Sequence, residues 1–203
     1  MHRPLAKAIL LASSLLLLGC LPPATIRPPD DAMRARQNVY LMERLQALGQ
    51  DGDWLVSRGY HGTDHLVVTV TATPLSHVAV LDLGGLQVIE AESQGVHTTP
   101  LADFVHKSHR ILLIRPVWST EDRGEEAVRH ALRLVGKSYD YLGTVGLNDP
   151  NRFYCSELAM HIYHIYQKHG DAIPPIIEPG QMYLWGEVLF DSRPRHWHWP
   201  KLP

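Results

Sequence analysis

The sequence predicts a single domain of the α+β class, in which an antiparallel sheet packs against helices. First, short runs of apolar and β-branched residues, separated by Gly, Pro, Asp and Ser, crowd the middle of the chain. Second, one segment of helical periodicity precedes most of these runs and two follow them, so helices and strands do not alternate. Third, Gly84 and Gly85 separate two of the runs and indicate a hairpin, the usual connection of antiparallel strands.

Composition limits the classes of protein to which the chain can belong. It has 203 residues, of which 19 are Lys or Arg and 21 are Asp or Glu. This length suits one domain with an ordinary core, and an apolar fraction of 45% excludes extensive disorder. Because the charge balance is near neutral, the chain lacks the basic character of nucleic-acid-binding proteins, and we expect no nucleic-acid partner.

The N-terminus has the pattern of a secretory signal. Two basic residues precede an apolar run at residues 8–18, which is shorter than the roughly 20 residues needed to cross a bilayer. The run ends in Leu-Leu-Gly-Cys at residues 17–20, which resembles the bacterial lipobox. We therefore expect a lipoprotein signal peptide at residues 1–19 and lipidation of Cys20. The alternative is an ordinary signal peptide with an incidental cysteine.

A tether and one domain are expected to follow the signal peptide. Residues 20–30 are rich in proline and predict an extended, solvated segment, and residues 31–203 are expected to form the single domain. Leu21 stands where an Asp would favour retention in the inner membrane. The resemblance to lipoproteins thus implies an outer-membrane anchor, with the domain in the periplasm and the membrane as a partner through the lipid.

The predicted elements follow in order along the domain. A helix capped by Asp30 or Asp31 should run to about Leu48. Strands are predicted at residues 54–56, 66–70, 78–83, 86–91 and 111–117. Helices are predicted at residues 100–105, 121–135 and 154–169. The last 30 or so residues hold several Pro and Trp and are expected to be irregular.

Cys155 is the candidate nucleophile. Helical spacing places it in the first turn of the last helix, where free N–H groups and the helix dipole stabilise a thiolate. The same N–H groups could receive the oxyanion of a tetrahedral intermediate. With Cys20 lipidated, Cys155 has no partner for an internal disulfide. The alternative is that Cys155 is a small core residue.

His77 is the candidate base, because it opens a predicted strand just before the hairpin. A turn centred on the two glycines places Ala79 opposite Glu90 and His77 opposite Glu92. Because side chains alternate along a strand, His77 and both acids then share one face, and either carboxylate could hold the imidazole. The alternative is a structural histidine.

Five short segments together resemble a known family. They are GDWLVSRG at residues 52–59, SHVAV at 76–80, VIEA at 88–91, GKSYDYLG at 136–143 and FYCSEL at 153–158. These segments resemble the permuted papain-like proteins, which belong with the NlpC-type cell-wall peptidases and the lecithin–retinol acyltransferases. In ordinary papain-like enzymes the Cys helix precedes the His strand. Here the order is His, acid, Cys, as in the permuted branch.

The resemblance implies both the fold and the roles of the site residues. It implies a circularly permuted papain-like fold with the nucleophile at a helix N-terminus. Cys155 would be the nucleophile, His77 the base and Glu90 the residue that orients it, since the family places its acid in the motif that Glu90 occupies. Tyr154 is a candidate aid to the oxyanion, with simple packing as the alternative. No cofactor is implied.

The expected activity is that of a cysteine peptidase or amidase of the cell envelope. It would cleave an amide through a thioester, with peptidoglycan peptide or another envelope peptide as substrate. One alternative is a lipid acyl hydrolase or acyltransferase that uses the same site. Another is a binding lipoprotein without activity.

We expect no metal, although the chain is rich in histidine. His161 and His164 are spaced by one helical turn, and residues 196–199 read His-Trp-His-Trp. Neither group has Cys or carboxylate partners at a spacing typical of metal sites.

Overall fold

The computed structural model describes residues 26–168 and 170–193. Its main strands are β1 (Trp54–Gly59), β2 (His77–Asp82), β3 (Gln87–Glu92), β4 (Gly95–Pro100) and β5 (Ser108–Pro116). Two short strands, β6 (Ser138–Tyr139) and β7 (Arg152–Phe153), pair in parallel, and β8 (Gly186–Asp191) is the last. The others form one six-stranded sheet in the order β4-β3-β2-β1-β5-β8, in which all neighbours are antiparallel.

Within the described ranges, five α-helices accompany the sheet. They are α1 (Asp31–Leu48), α2 (Gly62–Thr71), α3 (Leu101–Lys107), α4 (Glu121–Arg133) and α5 (Cys155–His161). Short 3-10 helices lie at Gly143–Val145, His164–Tyr166 and Pro179–Trp185. This mixture of helices with an antiparallel sheet confirms the predicted α+β class. None of the helices in the described ranges is long and apolar enough to span a bilayer. Cys20 and residues 196–199 lie outside those ranges.

Helices cover both faces of the sheet. Because side chains alternate between the two faces along each strand, each face has its own hydrophobic core. On the first face, Leu55 and Leu81 pack with residues of α1 and α3 such as Leu45 and Phe104. On the second face, residues of α4 and α5 pack against the strand residues of opposite parity, among them Trp54, Val56, Val78 and Val80. The sheet is therefore a middle layer, and its ends are the places where groups from both faces can meet.

The predicted hairpin register is confirmed. Ala79 lies opposite Glu90, and Leu81 lies opposite Val88. The turn is closed by the Asp82 carboxylate, which accepts the Gly85 N–H at 2.8 Å. Because this turn determines the pairing, it also determines which β3 side chains share a face with His77.

The strand predicted at residues 66–70 is wrong, because these residues belong to α2. Their β-branched content is typical of strands, but local hydrogen bonds favour the helix. Asp64 accepts the His61 N–H at 3.0 Å, and the hydroxyl groups of Thr69 and Thr71 each donate to the carbonyl oxygen four residues earlier. In addition, β2 and β5 occupy both edges of β1, so this segment finds no free edge of β1 to pair with.

The helix predicted at residues 154–169 is also shorter than expected, since α5 ends at His161. Tyr163 leaves the helical path and is buried beside Trp54 and Trp118, with its hydroxyl donating to the Gly52 carbonyl oxygen at 3.1 Å. Tertiary packing thus overrides the helical periodicity.

Four strands were not predicted. In the six-stranded sheet they are β4, which pairs with β3, and β8, which lies in the region expected to be irregular and pairs with β5 across a register shift. The other two are the two-residue strands β6 and β7, which pair with each other.

Candidate active site

The first residue of β2 and the first residue of α5 meet at one end of the sheet. His77 opens β2, and Cys155 opens α5 on the second face, with its thiol buried. The imidazole and the thiol are close enough for each to shift the pKa of the other. The backbone N–H of Val78 also lowers the pKa of the thiol. Sequence reasoning placed these two residues at the starts of their elements, and the structure brings them together.

Glu90 binds the other side of the His77 ring. Its Oε2 atom lies 2.7 Å from His77 Nε2, which leaves Nδ1 as the ring nitrogen available to the thiol. Glu90 faces Ala79 across the β2–β3 ladder, so it is diagonal to His77 on the same face. The three candidate residues therefore lie in the order carboxylate, imidazole, thiol, with the ring between the two groups that shift its pKa.

The Glu90 carboxylate is fully buried and has a complete set of partners. Its second oxygen, Oε1, accepts a hydrogen bond from Thr99 Oγ1 at 2.5 Å and one from Lys107 Nζ at 2.7 Å. Lys107 also donates to Glu92 Oε1 at 2.9 Å. Glu92 is thus paired with Lys107, and the carboxylate that contacts the His77 ring at hydrogen-bond distance is that of Glu90.

These contacts favour a thiolate–imidazolium pair. Burial raises the pKa of the Cys155 thiol, but the hydrogen bond to His77 and its charge outweigh burial, and the net pKa is lowered. Burial lowers the pKa of His77, but the hydrogen bonds to Cys155 and Glu90 and their charges raise it to about 10. At neutral pH the imidazole is protonated and the thiol is disposed to ionise, which is the nucleophilic state.

Lys107 and Glu90 stabilise each other's charges. Burial raises the pKa of Glu90, but the hydrogen bond and charge of His77, followed by the charge of Lys107, lower it well below its usual range. Burial lowers the pKa of Lys107, but Glu90 and Glu92 outweigh this and raise it. A buried carboxylate between two cations stays ionised and can hold the imidazolium.

Tyr154 lies beside the candidate nucleophile and is one of the residues that line the cleft leading to it. Its phenol oxygen accepts the Ile177 N–H at 3.0 Å, and the Ser156 hydroxyl donates to the Ile177 carbonyl oxygen at 2.6 Å. Burial raises the pKa of Tyr154 to about 12, so the phenol keeps its proton at neutral pH and remains a possible donor. Its assistance to an oxyanion stays a prediction.

A cleft of about 700 Å³ gives access to Cys155 and His77. Lys107, Glu92 and Tyr139 are also among its lining residues. Sequence reasoning missed Lys107, because nothing in the pattern of α3 links its last residue to an acid in β3. It also missed Thr99, which lies in the unpredicted strand β4. Recognition of β4 would have placed Thr99 opposite Val88 and near Glu90.

The donor set of the site does not fit a metal ion. His77, Glu90 and Glu92 could each offer a ligand atom, and these atoms lie within 4.8 Å of one another. However, the Lys107 ammonium group bonds to both carboxylates. A metal would have to displace this cation or share the carboxylates with it, at the cost of strong repulsion.

Of three comparisons with known proteins, the one with family models identifies a family. Residues 57–174, more than half of the chain, match the model of a family described as permuted papain-like amidase enzymes (YaeF/YiiX), the C92 family. A solved structure described as metalloprotein yiiX from Escherichia coli O157:H7 aligns with 59% of this chain and 67% of its own, at 22% identity and a TM-score of 0.49. The search of curated proteins gave no match.

Proposed function

The chain belongs to the permuted papain-like amidase family, a family of cysteine peptidases and amidases, and on that premise we propose that it hydrolyses an amide through a thioester on Cys155. The observation that carries this proposal is the position of the His77 ring, which is hydrogen-bonded to Glu90 on one side and interacts with the Cys155 thiol on the other. In this proposal Cys155 is the nucleophile, His77 the acid and base, and Glu90 the residue that orients the ring.

The proposed reaction has two halves. The Cys155 thiolate attacks the amide carbonyl carbon, and the C–N bond breaks as protonated His77 gives its proton to the leaving amine. A water molecule then gives a proton to His77 and attacks the thioester, which releases the acid and regenerates the thiolate. Glu90 holds the ring through both halves and compensates its charge while it is protonated. The sum is an amide plus water giving a carboxylic acid and an amine.

A mechanism-based thiol probe tests the assignment directly. An acyloxymethyl ketone should label Cys155, and a library of fluorogenic amides should be cleaved by the wild type but not by Cys155→Ala. Ser138→Ala, which changes an exposed serine outside the residues that line the cleft, is the control for the labelling. If the probe labels the protein and no amide is cleaved, the chain is a binding protein on a hydrolase fold. Equal cleavage by Cys155→Ala would also overturn the proposal.

We also propose that the enzyme is held to the outer membrane by lipid on Cys20 and acts in the periplasm. The Leu-Leu-Gly-Cys sequence at residues 17–20 supports this proposal. Mass spectrometry of the mature N-terminus should find a diacylglyceryl cysteine. Cys20→Ala should appear in the soluble fraction or remain unprocessed, while its amidase activity stays intact. A mature protein that begins elsewhere, or that carries no lipid, contradicts this assignment.

A further inference from the structure

Glu157 binds the backbone at the point where α5 begins. Its Oε2 atom accepts the N–H of Tyr154, the residue just before Cys155, at 3.2 Å. Tyr154 is the N-cap residue of α5 and has an extended backbone, whereas Cys155 is the first helical residue. A carboxylate at the third position of a helix that reaches back to the cap fixes the first turn. Glu157 therefore holds the peptide that presents the candidate nucleophile.

The side chains on either side of Cys155 are held by one residue of a different segment. The phenol oxygen of Tyr154 accepts the N–H of Ile177 at 3.0 Å, and the hydroxyl of Ser156 donates to the carbonyl oxygen of Ile177 at 2.6 Å. Both side chains are buried. Residues 154–156 are thus held by three contacts, and the contact with Glu157 is the one among them that depends on an ionisable acid.

The surroundings of Glu157 make its ionisation sensitive to pH near neutrality. Burial raises the pKa of Glu157 most, the Tyr154 N–H lowers it, and the charges of Asp140 and Asp149 raise it again, to about 7 in all. Arg152, the neighbouring cation, is paired with Asp149, whose Oδ2 lies 3.3 Å from its Nε. The Tyr154 phenol is neutral in this range, since burial raises its pKa to about 12. The charge of Glu157 is therefore lost under mildly acidic conditions.

We propose that Glu157 is a positioning residue whose ionisation controls the presentation of Cys155 to His77, so that the site is fully ordered only while this carboxyl is charged. This inference rests on the proposed function and adds a regulation of the same site. A carboxylate makes a stronger hydrogen bond to a backbone N–H than a neutral carboxyl does, and it also interacts favourably with the N-terminal end of the helix dipole. Protonation weakens both interactions and loosens the first turn of α5. Turnover should therefore fall as the pH falls through about 7.

The test compares the wild type with Glu157→Gln at two pH values. Glutamine keeps the size of the side chain and an acceptor oxygen, but it carries no charge at any pH. With a neutral fluorogenic amide, kcat of the wild type should exceed that of the variant about fivefold near pH 8.5, whereas the two should agree within about twofold near pH 5.5. The titrations of Cys155 and His77 occur in both proteins and largely cancel in this ratio.

Two further variants separate positioning from a purely structural role. Glu125→Gln is the matched control, since Glu125 is an exposed glutamate of α4 that pairs with Arg129 and lies outside the cleft, and its ratio to the wild type should stay near one. Glu157→Asp, which keeps the charge, should recover part of the activity near pH 8.5. A ratio for Glu157→Gln that does not change with pH overturns the inference, and so does an equal change in Glu125→Gln.

Failure of this inference and failure of the proposed function give different results. Labelling of Cys155 by the acyloxymethyl ketone requires a correctly positioned thiol but no amide hydrolysis, so the same ratio can be measured as a labelling rate. If no amide is cleaved and the labelling ratio changes with pH as described, the inference stands and the amidase is overturned. Amide cleavage with a ratio that is independent of pH overturns the inference and leaves the amidase standing.

Discussion

His77 and His161 are both largely removed from water, yet their pKa values shift in opposite directions. His77 is the more deeply buried, and burial alone would lower its pKa further than that of His161. Instead, Cys155 and Glu90 raise it to about 10, whereas burial and the charges of His164 and His130 lower the pKa of His161 to about 4. The comparison shows that acidic partners can outweigh burial and keep a histidine of this fold protonated, whereas burial keeps the ring neutral where such partners are lacking.

His77 and His161 also differ in their contacts. His161 stacks on His164 with ring centroids 4.8 Å apart and contacts Phe153 at 4.9 Å, so its neighbours are rings. His164 Nδ1 is bonded to the His161 carbonyl oxygen. Within the described ranges, the residues whose ligand atoms lie close enough together to hold a metal ion are His77, Glu90 and Glu92. His161 and His164 therefore belong to a cluster of aromatic rings.

The largest expected effect comes from replacing each of the two histidines in turn. His77→Ala should lower amide hydrolysis at least about a hundredfold, because it removes the acid and base of both half-reactions. Alkylation of Cys155 by iodoacetamide should then follow the pH dependence of an ordinary thiol. His161→Ala should keep most of the activity and the low thiol pKa. Similar losses in the two variants would contradict the distinction.

Glu90 is the partner that sets His77 apart from His161. Glu90→Gln should lower turnover at least about tenfold with a smaller change in binding, because the amide cannot compensate the imidazolium charge. Glu92→Gln should stay near wild type, as most substitutions at partly exposed positions do. Steady-state kinetics of the two variants would separate them, and a larger loss in Glu92→Gln would reverse their roles.

Lys107 should act through Glu90 and have a smaller effect. Lys107→Met leaves Glu90 with Thr99 and His77, so we expect a loss in kcat of about fivefold, equivalent to ~1 kcal/mol for one hydrogen bond. The pH dependence of Cys155 alkylation should shift as well, and Lys107→Arg should restore part of the activity. Lys137→Met, which removes a surface lysine bonded to Asn151, is the control. If kcat and the alkylation profile both remain at wild-type values, Lys107 has no positioning role.

The smallest expected effect is on the stability of the folded protein. His77 and His161 should change its pH dependence in opposite directions. Burial holds the folded-state pKa of His161 at about 4, below the ordinary histidine value of 6.5, so the unfolded chain binds more protons between these values and stability falls as pH falls through them. For His77 the folded pKa is raised, so its contribution is complete below about 6.5 and is lost as pH rises toward about 10.

Urea unfolding across pH would detect both contributions. His161→Phe should flatten the acid limb of the stability curve, whereas His77→Ala should flatten the alkaline limb. An unchanged acid limb in His161→Phe would show that this ring remains protonated in the folded state.

The sequence alone determined those features of the fold that depend on contacts between residues close together in the chain. The hairpin at Gly84 and Gly85 determined the register of β2 and β3, and the two-residue alternation then placed Glu90 diagonal to His77 on one face. The amphipathic pattern that predicted a helix at residues 121–135 corresponds to α4, Glu121–Arg133. Such features depend on hydrogen bonds and periodicity within a few residues, which the sequence contains directly.

The tertiary structure alone decided what depends on contacts between distant segments. The residues at 66–70 became a helix because local capping was available and both edges of β1 were occupied, and α5 ended at His161 because Tyr163 is buried beside Trp54. Lys107 reached Glu90 only when α3 packed beside β3, and Cys155 met His77 only when α5 packed on the sheet. These contacts are set by how apolar surfaces far apart in the chain pack together, and no local pattern of residues encodes that arrangement.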